Sequence, residues 1–183
     1  MLQLPPGYAP DVLAFFDAWS ALRAGAIVPR LSDYLDHAPP KLQPFVSIVD
    51  VHGPDKVLVR LFGTGMVGIV GHDFTKKDLT PIYSAKDLAR VGAIAWQSVI
   101  HPAGYLCVRT VKTGHGLVLD CDCICLPLAV QTPLPKCMIT FVSFPKQMPR
   151  RPGLAELGTV MAVRFVSWID LGAGIPPPPS SAY

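Results

Sequence analysis

Two apolar segments joined by a short turn constrain the fold of this chain most strongly. They are FVSIVDV (45–51) and VLVRLF (57–62), and the linker HGPDK between them contains Gly, Pro and Asp, which favour turns. Both segments have the length of strands and are rich in residues that strands prefer. The sequence therefore predicts an antiparallel β-hairpin over residues 45–62.

The stretch GTGMVG (63–68) follows directly and has the Gly-x-Gly-x-x-Gly spacing of a dinucleotide-binding turn. Such a site needs a buried parallel strand before the glycines and a full helix after them. Here Arg60 lies in the centre of the preceding segment, and Gly68 and Gly71 interrupt the helix that would follow. The glycines are therefore predicted to serve a turn and close packing rather than a phosphate group.

Helical patterns occur on both sides of the hairpin. One amphipathic helix is predicted to begin at Asp11, which caps it, and to stop at Gly25. A longer helix is predicted from Ser84 to about Val99, because Ser84 and Asp87 form a capping box and apolar residues follow at helical spacing.

Three further strands are predicted at GYLCVRTVKT (104–113), GLVLDCDCICLPLA (116–129) and KCMITFVSF (136–144). Between the predicted elements, residues 28–44 are expected to be irregular and residues 73–84 to form short helical pieces. This order of strands and helices is typical of the α+β class. We expect a five-stranded antiparallel sheet with the short helices and the long helix over one face, and the N-terminal helix elsewhere.

The composition indicates a soluble protein that does not bind nucleic acid. Half of the residues are hydrophobic and 16% are charged, so much apolar surface must be covered, and a homodimer is expected. The net charge is only +3 and the basic residues are scattered, without a stripe that would follow a phosphate backbone. The N-terminal segment does not resemble a signal peptide and the most apolar stretch contains two aspartates, so we expect a cytoplasmic location and no membrane contact.

A set of short motifs accompanies this order of elements. They are Trp19 and Arg23 in a Trp-x-x-x-Arg helix, the pair Pro29 and Arg30, Pro44 before the first strand, Arg60, Gly63 and Thr64 in Arg-x-x-Gly-Thr, Gly71, Asp73 and Thr75 in Gly-x-Asp-x-Thr, and WIDLGAGIP at 168–176. Lys76 replaces the Gly that ends the Gly-x-Asp-x-Thr-Gly motif. Together they resemble an alphaproteobacterial family of stand-alone PAS domain proteins.

The resemblance implies a bacterial sensory or protein-interaction module rather than an enzyme, with a signalling protein as its partner. Residues 31–145 would form the PAS-like domain, between an N-terminal helical extension (1–30) and a C-terminal extension (146–183). In the C-terminal extension a strand is predicted at 159–170, and we expect it to dock on a dimer partner or on the N-terminal helix. The Pro-rich end IPPPPSSAY (175–183) is expected to be disordered.

In this interpretation the space between the sheet and the helices either binds a small molecule or is simply packed with side chains, and no cofactor is assigned. Two alternatives stay open: a small α+β enzyme with a cavity, which should point an acid or a histidine inward, and a haem or thiol redox sensor. The sequence contains no nucleophile elbow, P-loop or metalloprotease motif, so no catalytic residue is nominated.

Five residues are candidates for binding or for a structural ion pair. Trp96 and His101 lie near the end of the long helix, and with Cys107 they are candidate ligand-binding residues. Asp50 and Arg60 fall on one face of the hairpin as diagonal neighbours and are a candidate ion pair. The alternative for Asp50 and Arg60 is two separately solvated side chains.

The apolar stripe of the first helix is a candidate association surface. It consists of Phe15, Phe16, Trp19 and Leu22. Such a stripe needs a partner surface, which a second copy of the chain would supply. Packing on the outer face of the chain's own sheet is the alternative.

The closely spaced Cys121, Cys123 and Cys125 are predicted to be buried, reduced thiols. Same-face neighbours on a strand lie roughly 6.6 Å apart, whereas two sulfurs that share one zinc ion lie roughly 3.8 Å apart. Two cysteines of one flat strand therefore cannot readily hold one ion, and no metal site is expected. The alternative is a redox pair, or a metal site formed by these three cysteines with or without Cys107 or Cys137.

Overall fold

A six-stranded antiparallel sheet forms the centre of the fold. The computed structural model describes residue 4, residues 7–144 and residues 156–177. The strands are β1 (Val46–Gly53), β2 (Lys56–Phe62), β3 (Ala103–Lys112), β4 (Val118–Leu128), β5 (Lys136–Ser143) and β6 (Thr159–Asp170). Their order across the sheet is β2-β1-β5-β4-β3-β6, and all neighbours are antiparallel. The predicted α+β class with an antiparallel sheet is confirmed.

The first two strands form the predicted hairpin, and the glycine-rich stretch leads out of it. Gly53 pairs with Lys56 at the turn, and Gly63 follows the last residue of β2. A Cβ atom at Gly63 would lie 2.4 Å from the carbonyl oxygen of Pro44, so only glycine allows this close approach of the two segments. Helix α1 (Pro10–Ala21), α2 (Leu31–His37), α3 (Thr64–Val70) and α4 (Ala85–Ile100) complete the fold.

The sixth strand corrects the expectation of five strands and of a docked C-terminal extension. β6 pairs with β3 along its length, from Lys112 opposite Thr159 to Ala103 opposite Asp170. Without β6, strand β3 would be an edge with a row of unpaired backbone groups. The segment therefore extends the chain's own sheet as an edge strand instead of docking on α1.

The long helix α4 covers one face of the sheet, which we call the inner face. Ser84 caps it as predicted, because its hydroxyl accepts a hydrogen bond from the backbone N–H of Asp87 at 3.1 Å. Gly92 brings the helix against the hairpin turn, where an added Cβ would lie 2.3 Å from the carbonyl oxygen of Pro54. Helix α3 and the connector 71–84 pack on the same face, so the inner face is covered by three segments.

The opposite face of the sheet, the outer face, is covered by α1 and α2. Phe15 of α1 stacks on Phe141 of β5 with ring centroids 4.9 Å apart. Phe15, Phe16 and Trp19 are at most 2% exposed, and Leu22 is half-buried at the edge of the same cluster. The proposed association surface is therefore corrected: the chain's own sheet buries this stripe, and intramolecular packing accounts for it.

Two local predictions were wrong. Residues 31–37 form α2 rather than an irregular segment, because Leu31 and Tyr34 are one helical turn apart and both are buried under the outer face. The short helix lies at 64–70, across the glycines, and residues 73–84 form turns instead. Asp73 and Asp78 each accept a hydrogen bond from the backbone N–H two residues later, which stabilises turns rather than helix.

The C-terminal end of the chain is described as far as residue 177. Residues 171–177 follow β6 without regular structure, and Pro176 is buried. The expectation of disorder for residues 178–183 lies outside the described residues. Within the described residues, no helix is both long enough and apolar enough to cross a membrane.

Candidate functional site

A small cavity of about 30 Å³ lies between the inner face of the sheet and α3. Its wall is mostly apolar, with Val59 and Val142 from the sheet, Met66 from α3 and Ile82 from the connector. A water molecule needs at least roughly 10 to 15 Å³ of such space, so the cavity is large enough to hold a small polar group. The cavity lies on the inner face, between the sheet and the segments that cover it.

The connector 71–84 closes one side of this cavity and is held by backbone hydrogen bonds. The N–H of Lys76 donates to the carbonyl of Val59 at 2.8 Å, which ties the connector to β2. At its end, the N–H of Val160 in β6 donates to the carbonyl of Ile82 at 2.7 Å. The connector thus links the two edge strands of the sheet across the cavity.

Three polar side chains reach the cavity wall: Ser47, Tyr83 and Arg109. Arg109 lies in the middle of β3, on the same face as Tyr105 and Cys107, so strand alternation directs it inward. It is only 8% exposed, although arginine is rarely buried without a partner. A positively charged group therefore faces an otherwise apolar cavity.

The guanidinium group of Arg109 has little compensation from the protein. Its one hydrogen bond among the described residues runs from Nη2 to the sulfur of Cys125 at 3.9 Å, and its Nε is buried without a partner. All thirteen Asp and Glu residues lie in the described part of the chain. None of them forms an ion pair with Arg109, since the described ion pairs are Arg60 with Asp50 and Arg90 with Asp87.

Tyr83 and three of the cysteines around Arg109 are uncharged at neutral pH. Burial raises the pKa of Tyr83 and that of Cys121 to about 12, and it raises the pKa of Cys125 well above its usual value. A hydrogen bond with Cys123 raises the pKa of Cys107 to about 12. The guanidinium of Arg109 stays protonated near pH 7, because the ordinary pKa of arginine lies far above neutrality.

The cysteines lie on both faces of the sheet. Cys107, Cys121, Cys123 and Cys125 point to the inner face, whereas Cys137 belongs to the outer cluster, and all five are free and buried. Within the described residues, no group of three or more Cys, His, Asp or Glu side chains converges as metal ligands would. The inner cysteines pack as small apolar side chains beside Arg109.

The three candidate ligand-binding residues lie outside the cavity wall. Trp96 is half-buried on α4 and packs against the inner cluster, and His101 ends the same helix. The Nε2 atom of His101 is buried and has no hydrogen-bond partner among the described residues. Cys107 is fully enclosed in the inner cluster, two residues before Arg109 on the same face of β3.

Sequence reasoning missed Arg109 as a site residue. A signal was available, because Tyr105, Cys107, Arg109 and Val111 alternate along one predicted strand and three of the four are apolar or aromatic. A charged residue in the register of a buried face is unusual. The residues opposite Arg109 in the neighbouring strands are Cys121 and Val163. Neither is acidic, so no charged partner in the sequence pointed to Arg109.

Asp50 and Arg60 are in contact at the surface, away from the cavity. Arg60 donates to Oδ1 of Asp50 from Nε at 2.9 Å and from Nη2 at 2.7 Å. The hydrogen bond with Asp50 raises the pKa of Arg60. Because the Arg60 side chain is 42% exposed, the pair contributes only about 0 to 1 kcal/mol to stability.

The chain was compared with families, with curated proteins and with solved structures. A family model described as PAS domain matches residues 9–139, which include α1 and reach into β5. No curated protein and no solved structure matches the chain.

Proposed function

The chain belongs to the PAS domain family, and on that premise we propose that it binds a small molecule between its sheet and helices and passes the signal to a protein partner. PAS domains are in general sensory or interaction modules. The observation that carries the proposal is the cavity on the inner face, where three polar side chains enter an apolar wall. Ligand sites are commonly apolar with a few polar groups that fix the orientation of the ligand.

The alternatives receive less support from the same cavity. An enzyme would need a nucleophile with a base to activate it, and the lining residues include the hydroxyl groups of Ser47 and Tyr83 but no Asp, Glu or His that would serve as that base. A thiol sensor would need a reactive thiolate, whereas burial raises the pKa of Cys121 and that of Cys125. We therefore propose a role without catalysis.

Self-association is a second part of the proposal. Because the apolar face of α1 is buried against the chain's own sheet, a dimer contact must use another surface. The edge strand β6 exposes Met161 by 54% and Val166 by 38%. Exposed apolar side chains on an edge strand favour pairing with another chain, and this supports a homodimer.

Native mass spectrometry of the freshly purified protein tests both parts together. We expect a mass of two chains plus a small molecule for each chain, with denaturing mass spectrometry as the reference for the chain alone. A visible absorption spectrum of the same sample separates the alternatives, because haem would give a strong Soret band. A monomer without any bound molecule at every concentration would contradict the proposal.

A further inference from the structure

We propose that the cavity on the inner face binds a short aliphatic monocarboxylate, with its carboxylate group paired to Arg109. This inference rests on the proposed function, because it names the ligand class of the same cavity. It depends on Arg109, whose positive charge has no counter-charge among the residues that the structure describes.

The first step is the unmatched charge. A guanidinium group has five N–H donors and no acceptor, yet the one acceptor that Arg109 contacts among the described residues is the sulfur of Cys125 at 3.9 Å. Buried charges in proteins are normally paired, because taking an isolated charge out of water costs far more than the fold can supply. An anion from outside the chain would provide the missing partner.

The second step excludes an internal anion. Cys125 is the acidic side chain that Arg109 contacts, and its sulfur already accepts a hydrogen bond from Thr140 at 3.3 Å. Burial raises the pKa of Cys125 and of the neighbouring Tyr83, so both are neutral near pH 7. With no Asp or Glu in an ion pair with Arg109, the described part of the chain supplies no counter-charge.

The third step is the kind of anion. The planar fork of a guanidinium group matches a carboxylate in a bidentate pair. The hydroxyl groups of Ser47 and Tyr83 line the same cavity and offer further donors, while Met66 and Val142 offer an apolar surface to a hydrocarbon tail. A volume of about 30 Å³ restricts the ligand to a small molecule, so the shortest aliphatic carboxylates, with two to four carbons, are the class that we propose.

Calorimetric titration of the full chain with sodium propionate tests the inference, in a buffer without other carboxylates and at constant ionic strength. Propionamide, a neutral molecule of the same shape, and sodium chloride are the parallel titrants. We expect saturable binding of propionate, and binding of propionamide weaker by about 10- to 100-fold, because hydrogen bonds to a charged partner are lost. Equal binding of propionate and propionamide, or no saturable binding of acetate, propionate or butyrate, would overturn it.

The variant Arg109→Met removes the charge and keeps an apolar side chain of similar length. We expect Arg109→Met to bind propionate at least about 10-fold more weakly than the unchanged protein. The matched variant Arg60→Met removes a surface arginine, and we expect it to bind propionate like the unchanged protein. Circular dichroism checks the fold, and Arg109→Gln replaces Arg109→Met if the latter fails to fold. Unchanged propionate binding in a folded Arg109 variant would refute the pairing.

The outcome also separates this inference from the proposed function. If native mass spectrometry shows a bound neutral molecule and propionate does not bind, the sensory proposal stands and the carboxylate inference falls. If propionate binds and Arg109→Met abolishes its binding, both stand.

Discussion

At the scale of single residues, Gly92 determines how closely α4 approaches the sheet. The helix crosses the turn between β1 and β2 at this residue, and a Cβ atom would lie 2.3 Å from the carbonyl oxygen of Pro54. Backbone atoms cannot move aside as a flexible side chain can. The contact therefore fixes the distance between the long helix and the hairpin.

Replacing Gly92 with Ala should destabilise the protein by about 1 to 3 kcal/mol, the usual cost of overpacking. The better helix propensity of Ala, worth about 1 kcal/mol, should not offset this cost. Gly68→Ala is the matched control, because Gly68 also lies in a helix but an added Cβ would meet nothing within 4 Å. Urea unfolding measures the free energy of unfolding of the two variants. Equal stability of Gly92→Ala and Gly68→Ala would contradict the close contact at Gly92.

Arg109 illustrates what single-residue reasoning from sequence cannot reach. Strand alternation places it on the face of Tyr105 and Cys107, so its direction was predictable. Its burial was not, because an arginine at the same position of a half-covered sheet would extend into water. Burial depends on α3 and on the connector 71–84, which come from a distant part of the chain.

At the scale of elements, α1 is a structural part of the domain. Phe15 is fully buried between Phe141 of β5 and Tyr34 of α2. The periodicity of α1 predicted that one face is covered, but periodicity does not tell whether the cover is the same chain or a second copy. The family match, which begins at residue 9, includes this helix.

Truncating Phe15 to Ala should lower the free energy of unfolding by about 3 to 5 kcal/mol, because a cavity replaces a stacked ring. Leu13→Ala, on the 38% exposed side chain two residues earlier, should change it by no more than about 0.5 kcal/mol. Urea unfolding at two protein concentrations measures both. A loss in Phe15→Ala that depends on protein concentration would instead indicate an intermolecular contact.

Local rules explain which elements were predictable. The hairpin turn and the Ser84 cap are encoded within a few residues, and both formed as expected. The position of β6 was missed, because its partner β3 is about fifty residues away and pairing depends on which edge is left open. The helix α2 was missed because prolines flank it and only Leu31 and Tyr34 mark its buried side.

At the scale of the whole molecule, buried acidic groups predict instability at alkaline pH. Burial raises the pKa of Cys121 and that of Cys137 from 9.0 to about 12, and that of Tyr34 and Tyr83 from 10.0 to about 12. The unfolded chain loses these protons first, so it is favoured as the pH rises. Stability should be constant with respect to these groups below about pH 8 and should fall between about pH 9 and 12.

Urea unfolding midpoints at unit steps from pH 7 to 11 measure this decline. Tyr34→Phe removes one of the titrating groups, and the Tyr34 hydroxyl has no hydrogen-bond partner among the described residues. The decline should therefore be shallower in this variant, and its stability near pH 7 should be close to that of the unchanged protein. A midpoint that stays constant up to pH 11 would contradict the assignment.

The coverage of the sheet also determines how another protein reaches this molecule. With α1 and α2 on one side and α3, the connector and α4 on the other, the described structure presents no broad open β-surface. What faces outward is a pair of narrow borders, one along β2 and one along β6. A partner protein would therefore have to bind either to the backbone of an edge strand or to the outer surface of the helices. The connector 71–84 is hydrogen-bonded to both edge strands and also lines the cavity. A ligand in the cavity would therefore change the outer surface of the molecule first at this connector.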